Sequence, residues 1–173
     1  NGTSEWTDLT IQNFRSVLMH ADTTAYRSKS EVATLVPGTA EGHLTGGNLS
    51  ILTTSLGTPY QPDTEGAILF VEDIAEEPYK IDRMLTHMGQ AGLLDGIRGF
   101  IFGRCTNCPR AATPGFTMEE VLLHHIRPLG VPAIMGADIG HDSHNFTIPM
   151  GLRAVLDATG GVFMLREPGV RVN

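Results

Sequence analysis

Two short stretches of the chain hold residues whose types and spacing suit proton transfer. The apolar run Ala67-Ile68-Leu69-Phe70-Val71 delivers Glu72 and Asp73 at its C-terminal end. Gly140-His141-Asp142-Ser143-His144-Asn145 delivers histidines just beyond a second apolar run, Val131 to Ile134. Open α/β sheets build their sites outside the C-terminal ends of strands. A Glu and a His brought together there form the orienting and proton-transferring two-thirds of a serine-peptidase triad. The missing third is the nucleophile, and no Gly-x-Ser-x-Gly elbow presents one. The serines are Ser4, Ser16, Ser28, Ser30, Ser50, Ser55 and Ser143. Ser143 follows His141 too closely for the converging geometry that a nucleophile and its base need. The expectation is that this chain is one half of an enzyme, inactive alone, with its serine on a preceding domain. A first residue of Asn1 rather than Met suits a processed piece.

Other constellations compete. Cys105-Thr106-Asn107-Cys108 holds both cysteines. Structural zinc takes four ligands and no second pair exists, while a thioredoxin-like motif opens a helix, whereas Pro109 and residues 111–115 read as loop. Reduced thiols are expected, ahead of a disulfide or redox switch and of a metal site. A different class of site would gather His141, His144, Asp142, Glu72 and Cys105 around zinc. A third reading is a module that grips peptide without cutting. His144 is the second choice as base, and the main reading needs no cofactor and no metal.

A chain of 173 residues with 41% hydrophobic content suits one globular domain. A net charge of −7 without a basic stripe argues against nucleic acid. No apolar run approaches the roughly 20 residues that cross a bilayer. The elements that must position the site follow from periodicity. Leu9, Ile11, Phe14, Val17 and Leu18 set a helical rhythm over Thr7 to His20, and Ala21 to Ser30 reads as a polar connection. Val32 to Val36 reads as a strand, and Gly38, Gly42, Gly46 and Gly47 bracket short extended pieces before a helix that Asn48 opens and Gly57 closes. Pro78 starts a helix with Ile81, Leu85, Met88 and Ala91 on one face. Ile97 to Phe102 reads as a buried strand delivering Gly103 and Arg104, and Thr117 with Glu120 forms a capping box. Val131–Ile134, Leu152–Leu156 and Val162–Leu165 supply later strands, the last two joined by a hairpin at Asp157–Gly161. The sum is mixed α/β.

Four ordered motifs resemble one family: Gly42-x-Leu44-x-Gly46-Gly47-Asn48-Leu49, Ile68-Leu69-Phe70-Val71-Glu72-Asp73, Pro78-Tyr79-Lys80-Ile81-Asp82-Arg83-Met84-Leu85, and Gly140-His141 with Pro149-Met150-Gly151. From about Val36 to about Leu156 the chain is similar to the C-terminal domain of the LD-carboxypeptidases, serine peptidases that include the muramoyltetrapeptide carboxypeptidases and the microcin C immunity peptidases. The resemblance implies an α/β fold, a swivelling β/β/α-type domain with mixed strands and about three helices. It divides the chain into a connecting segment with an N-terminal helix, 1–30, and the C-terminal domain, 31–173. It implies a Ser-Glu-His triad split between domains, with Glu72 as carboxylate and His141 as base. It further implies removal of the terminal D-alanine from murein tetrapeptides, with the murein peptide and an N-terminal domain of the same protein as partners, a homodimer allowed, and a cytoplasmic place in peptidoglycan recycling. A substrate ending in a carboxylate needs a cation, for which Arg83 and Arg104 are candidates. Asn48 caps a helix or lines the pocket. The sequence departs from the family at Ala75-Glu76-Glu77, where Gly-Glu-x is expected, and at Arg104-Cys105, where an acidic residue and Thr are common.

Overall fold

The computed structural model describes residues 6–29, 31–109 and 115–171. Ser4, Ser30 and residues 111–114 of the expected loop lie outside them. Among the described residues the elements are α1 (Asp8–Leu18), β1 (Ala25–Arg27), β2 (Ala33–Val36), β3 (Thr39–Asn48), α2 (Leu49–Thr54), β4 (Ala67–Ile74), α3 (Pro78–Gln90), β5 (Gly99–Thr106), α4 (Met118–Ile126), β6 (Ala133–Ala137), β7 (Arg153–Asp157) and β8 (Val162–Leu165). The strands form one eight-stranded sheet in the order β1-β8-β7-β3-β4-β5-β6-β2.

Strands β3 to β6 are parallel neighbours, joined in turn by α2, α3 and α4. All three helices pack on one face, where Leu69, Val71, Phe100 and Phe102 meet Leu49, Ile81, Leu85, Val121 and Leu122. Ile68, Phe70, Ile101 and Ile134 point to the other face, toward Val17, Tyr26, Phe146 and Phe163. Burial on both faces explains why β4 reads as a continuous apolar run rather than an alternating one. The two remaining flanks are antiparallel: β2 on β6, and β7, β8 and β1 beyond β3. The Asp157–Gly161 hairpin forms as expected, with Asp157 paired to Val162.

Two stretches differ from the reading of the sequence. The glycine-rich segment is one ten-residue strand, β3, rather than several short pieces. Gly46 adopts φ +151° and runs so close to β4 that a Cβ would land on the Phe70 carbonyl oxygen. Its missing side chain therefore permits the pairing instead of interrupting it. Within the stretch read as a polar connection, Ala25–Arg27 forms the edge strand β1. Tyr26 anchors it from below: the ring stacks on Phe163 at 4.4 Å, and the hydroxyl donates to the Thr147 carbonyl at 2.9 Å.

The connection from β4 to α3 bends at Ala75, with φ 56°. This is the position where the resemblance led to the expectation of Gly, and a Cβ in that left-handed region costs about 1–2 kcal/mol. Ala75→Gly is expected to raise stability by roughly 0.5–1 kcal/mol after the greater freedom of an unfolded glycine is deducted. A thermal melt would show an increase of about 1–4 °C. Burial raises the Tyr26 pKa well above its ordinary value. The folded state therefore keeps its proton while the unfolded state releases it, so this contribution is intact below about pH 10 and declines as pH rises further. Urea titrations between pH 9 and 11 should show a shallower alkaline decline in Tyr26→Phe, at a cost of about 1 kcal/mol near neutrality.

Candidate active site

Glu72 sits one residue from the end of the buried part of β4 and is itself 7% exposed. His141 lies on the loop after β6, and its Nδ1–H donates to Glu72 Oε2 at 2.8 Å. The imidazole side chain is 47% exposed, against 9% for the carboxylate. With Nδ1 engaged, Nε2 is the nitrogen left to accept a proton from a reaction partner, which is the tautomer a general base requires.

The contact crosses a strand. β5 lies between β4 and β6, and the register of both pairings shifts at this level: between Val71 and Asp73 on one side, and between Phe102 and Gly103 on the other. Such irregularities re-aim side chains at the rim of a sheet. The loop then folds back tightly over β5. Arg104 N donates to the Ile139 carbonyl at 2.7 Å, and Gly140, at φ +149°, passes so close that a Cβ would stand 2.8 Å from the Arg104 carbonyl oxygen and 3.3 Å from Glu72 Oε2. Glycine at 140 is what lets His141 reach the carboxylate.

The far side of the loop is held by α1. The Thr10 hydroxyl, 5% exposed, donates to the Ser143 carbonyl at 2.7 Å and accepts from Asn145 N at 3.1 Å. Asn145 Oδ1 accepts from Gly140 N at 3.2 Å, and Asn13 Oδ1 accepts from Thr147 N at 2.6 Å.

The model of the LD-carboxypeptidase C-terminal domain matches residues 41–156, two-thirds of the chain. The chain belongs to that family. Over 150 residues it is 41% identical to the "Probable murein peptide carboxypeptidase" of Bacillus subtilis, covering 86% of this chain and 47% of that protein. The microcin C7 self-immunity protein MccF of Escherichia coli is 27% identical over 135 residues, covering 75% of this chain and 38% of that protein. Among solved structures, the muramoyltetrapeptide carboxypeptidase of Oxalobacter formigenes superposes with a TM-score of 0.75 at 28% identity, covering 96% of this chain and 56% of that one. MccF superposes at 0.82 with 22% identity, covering 95% and 56%, a likeness of fold. This LD-carboxypeptidase domain thus spans about half the length of the relatives it matches.

The other residues singled out from the sequence are distributed unevenly around the dyad. Asn48 pairs in register with Glu72 across β3 and β4, but its amide is committed: Oδ1 accepts from Ile51 N at 3.1 Å and Nδ2 donates to Asp73 Oδ1 at 3.3 Å. Asp73 Oδ2 accepts from both Ser50 N and Ser50 Oγ at 2.9 Å. It serves the start of α2, while the N-cap of α3 is Glu77, which makes no side-chain capping bond. Arg83 is exposed on α3, whose Asp82 pairs instead with His125 at 2.8 Å. Glu76 pairs with Lys80 at 2.9 Å. Arg104 lies at the dyad, with Nε 3.0 Å from Asp142 Oδ2.

Among the described residues no serine hydroxyl bonds to His141; Ser143 Oγ instead lies 3.4 Å from His144 Nδ1. The cysteines are a disulfide, Cys105–Cys108, rather than reduced thiols. Both stand on one tight turn closed by Cys108 N to Cys105 O, and their Cα atoms are 5.3 Å apart, within bridging range. That bond removes Cys105 as a metal ligand, and among the described residues no three His, Cys, Asp or Glu side chains are grouped to hold a metal. Nor, among them, is any helix long and apolar enough to cross a membrane.

Thr10, Asn13, Asp138 and Asn145 were not visible as site residues. The one usable signal was Thr10 and Asn13 at i, i+3 on the face of α1 that also carries Val17, since a polar side chain facing a core needs a partner. Thr10→Val is expected to cost roughly 1–3 kcal/mol by stranding the Asn145 amide and leaving the Ser143 carbonyl only the long contact from the Thr7 hydroxyl, at 3.5 Å. Hydrogen exchange should then quicken at Gly140 and Asn145 while β4 and β5 stay protected.

Proposed function

We propose that this chain is the half of a serine LD-carboxypeptidase that supplies the acid and base of a Ser-Glu-His triad, Glu72 and His141. The nucleophile comes from a domain outside the chain. The observation that carries the reading is the 2.8 Å Glu72–His141 bond, with Nε2 unclaimed by any described serine. The chain's span, about half of its relatives, leaves room for the missing partner.

In this reading His141 Nε2 accepts the serine proton as the hydroxyl attacks the amide before the terminal D-alanine of a murein tetrapeptide. The imidazolium so formed is stabilised by the Glu72 carboxylate and gives its proton to the departing amine; water then releases the acyl group by the same relay in reverse. The low exposure of Glu72 strengthens its hold on the cation, because a buried carboxylate is less screened than one in water. Backbone amides near the serine supply the oxyanion site. Asn48 shapes the pocket floor by fixing the entry to α2 beside Glu72. The names of the more similar relatives favour murein peptide over a microcin, and the reading includes a cytoplasmic place in peptidoglycan recycling.

The test is D-alanine release from a murein tetrapeptide. The full-length parent should be active and this chain alone inactive. His141→Ala and Glu72→Gln in the parent should each lower kcat on the order of 10⁴-fold. Turnover by the isolated chain, or near-normal turnover by His141→Ala, would sink the proposal.

A further inference from the structure

The Glu72–His141 bond fixes one nitrogen of the imidazole, yet a productive base must also be held in place from outside that bond. The groups around the His141 loop show what does so. Asp138, at the start of the loop, is fully buried, and Asp142, just after His141, is 32% exposed in its side chain. Arg104, at the end of β5, faces both: Nε lies 3.0 Å from Asp142 Oδ2, and Nη1 lies 3.7 Å from Asp138 Oδ1. Asp138 is further fixed to the strand connection before β2, where Lys29 N donates to Oδ2 at 2.8 Å and Asp138 N donates to Ser28 Oγ at 2.9 Å. The Phe146 amide donates to the Asp138 carbonyl at 2.7 Å. One guanidinium therefore ties the two flanks of the His141 loop to the strand that runs beneath it.

We propose that Arg104 is the positioning residue of this site, bracketing His141 between Asp138 and Asp142 so that its Nε2 is held at one angle. The proposal rests on the reading of Glu72 and His141 as acid and base. It also moves Arg104 from the role of gripping substrate, because a guanidinium donates from a rigid planar fork and two carboxylates already lie within reach of it. Lysine cannot replace it fully, since an ammonium is a single point of charge and the bracket has two ends. The inward end sits against a fully buried carboxylate that also accepts from Lys29 N. The outward end decides the orientation of the loop at its exposed side.

In the full-length enzyme, Arg104→Met should lower kcat about 100-fold, the effect of a misplaced catalytic group, with KM little changed. Arg104→Lys should recover part of the loss. Asp142→Asn should lower kcat in the same direction and by less. The second readout needs no turnover: in this chain alone, the ¹⁵N imidazole signals of His141 should report a single Nδ1–H tautomer, and in Arg104→Met a mixture of tautomers or exchange-broadened lines. If Arg104 instead grips substrate, Arg104→Met raises KM at constant kcat and leaves the His141 signals as they were, which overturns the bracket. If Arg104→Met fails to fold, Asp142→Asn carries both readouts, and unchanged kcat and unchanged imidazole signals there are equally fatal. If the parent releases no D-alanine at all, the activity reading falls while the imidazole spectra still decide the bracket.

Discussion

A hydrogen bond of 2.8 Å between residues 69 positions apart organises the working end of this domain. Its two partners do not lie on neighbouring strands, for β5 runs between β4 and β6. For His141 to meet Glu72, the loop after β6 has to fold over the end of β5, and every local irregularity nearby serves that crossing. The register shifts on both sides of β5, the backbone N–H of Arg104 donates to the loop at the Ile139 carbonyl, and Gly140 takes a conformation and a closeness that a Cβ would forbid.

Adjacent carboxylates at the end of β4 divide their labour by strand geometry. Successive side chains alternate between faces, so Asp73 follows Leu69 and Val71 toward the helices while Glu72 follows Ile68 and Phe70 toward the opposite face. On the helical side Asp73 satisfies the first turn of α2 through Ser50, together with Asn48. On the other side Glu72 finds His141. A shift of one residue in register would exchange the two roles, and the tight pairing of β3 with β4 at Gly46 resists such a slip.

The opposite face also explains the weight of the N-terminal helix. α1 contributes Val17 to the core, but its buried polar residues matter more to the site: Thr10 and Asn13 take up half-buried backbone groups of the stretch from Ser143 to Thr147. Tyr26 closes the same stretch from β1. The His141 loop is thus gripped from α1, β1 and β5, while the imidazole itself stays nearly half exposed.

The parallel core was legible in the sequence because it is built from local signals. Continuous apolar runs marked β4 and β5, Pro78 and the Thr117–Glu120 capping box marked helix starts, and carboxylates and histidines appeared beyond strand ends. These patterns depend on burial and on backbone groups a few residues apart, which the order of residue types records directly. The single long β3, the edge strand β1, the disulfide, and the anchoring of the loop by Thr10, Asp138 and Asn145 were decided by tertiary structure. β3 holds only because Gly46 can approach Phe70, and Thr10 matters only because a segment 133 residues away presents its Ser143 carbonyl. The residue types able to transfer a proton were written in the chain, and the family resemblance already singled out Glu72 and His141; what only the fold decided is how they meet, Glu72 on the face away from the helices and His141 carried onto it by the close passage of Gly140.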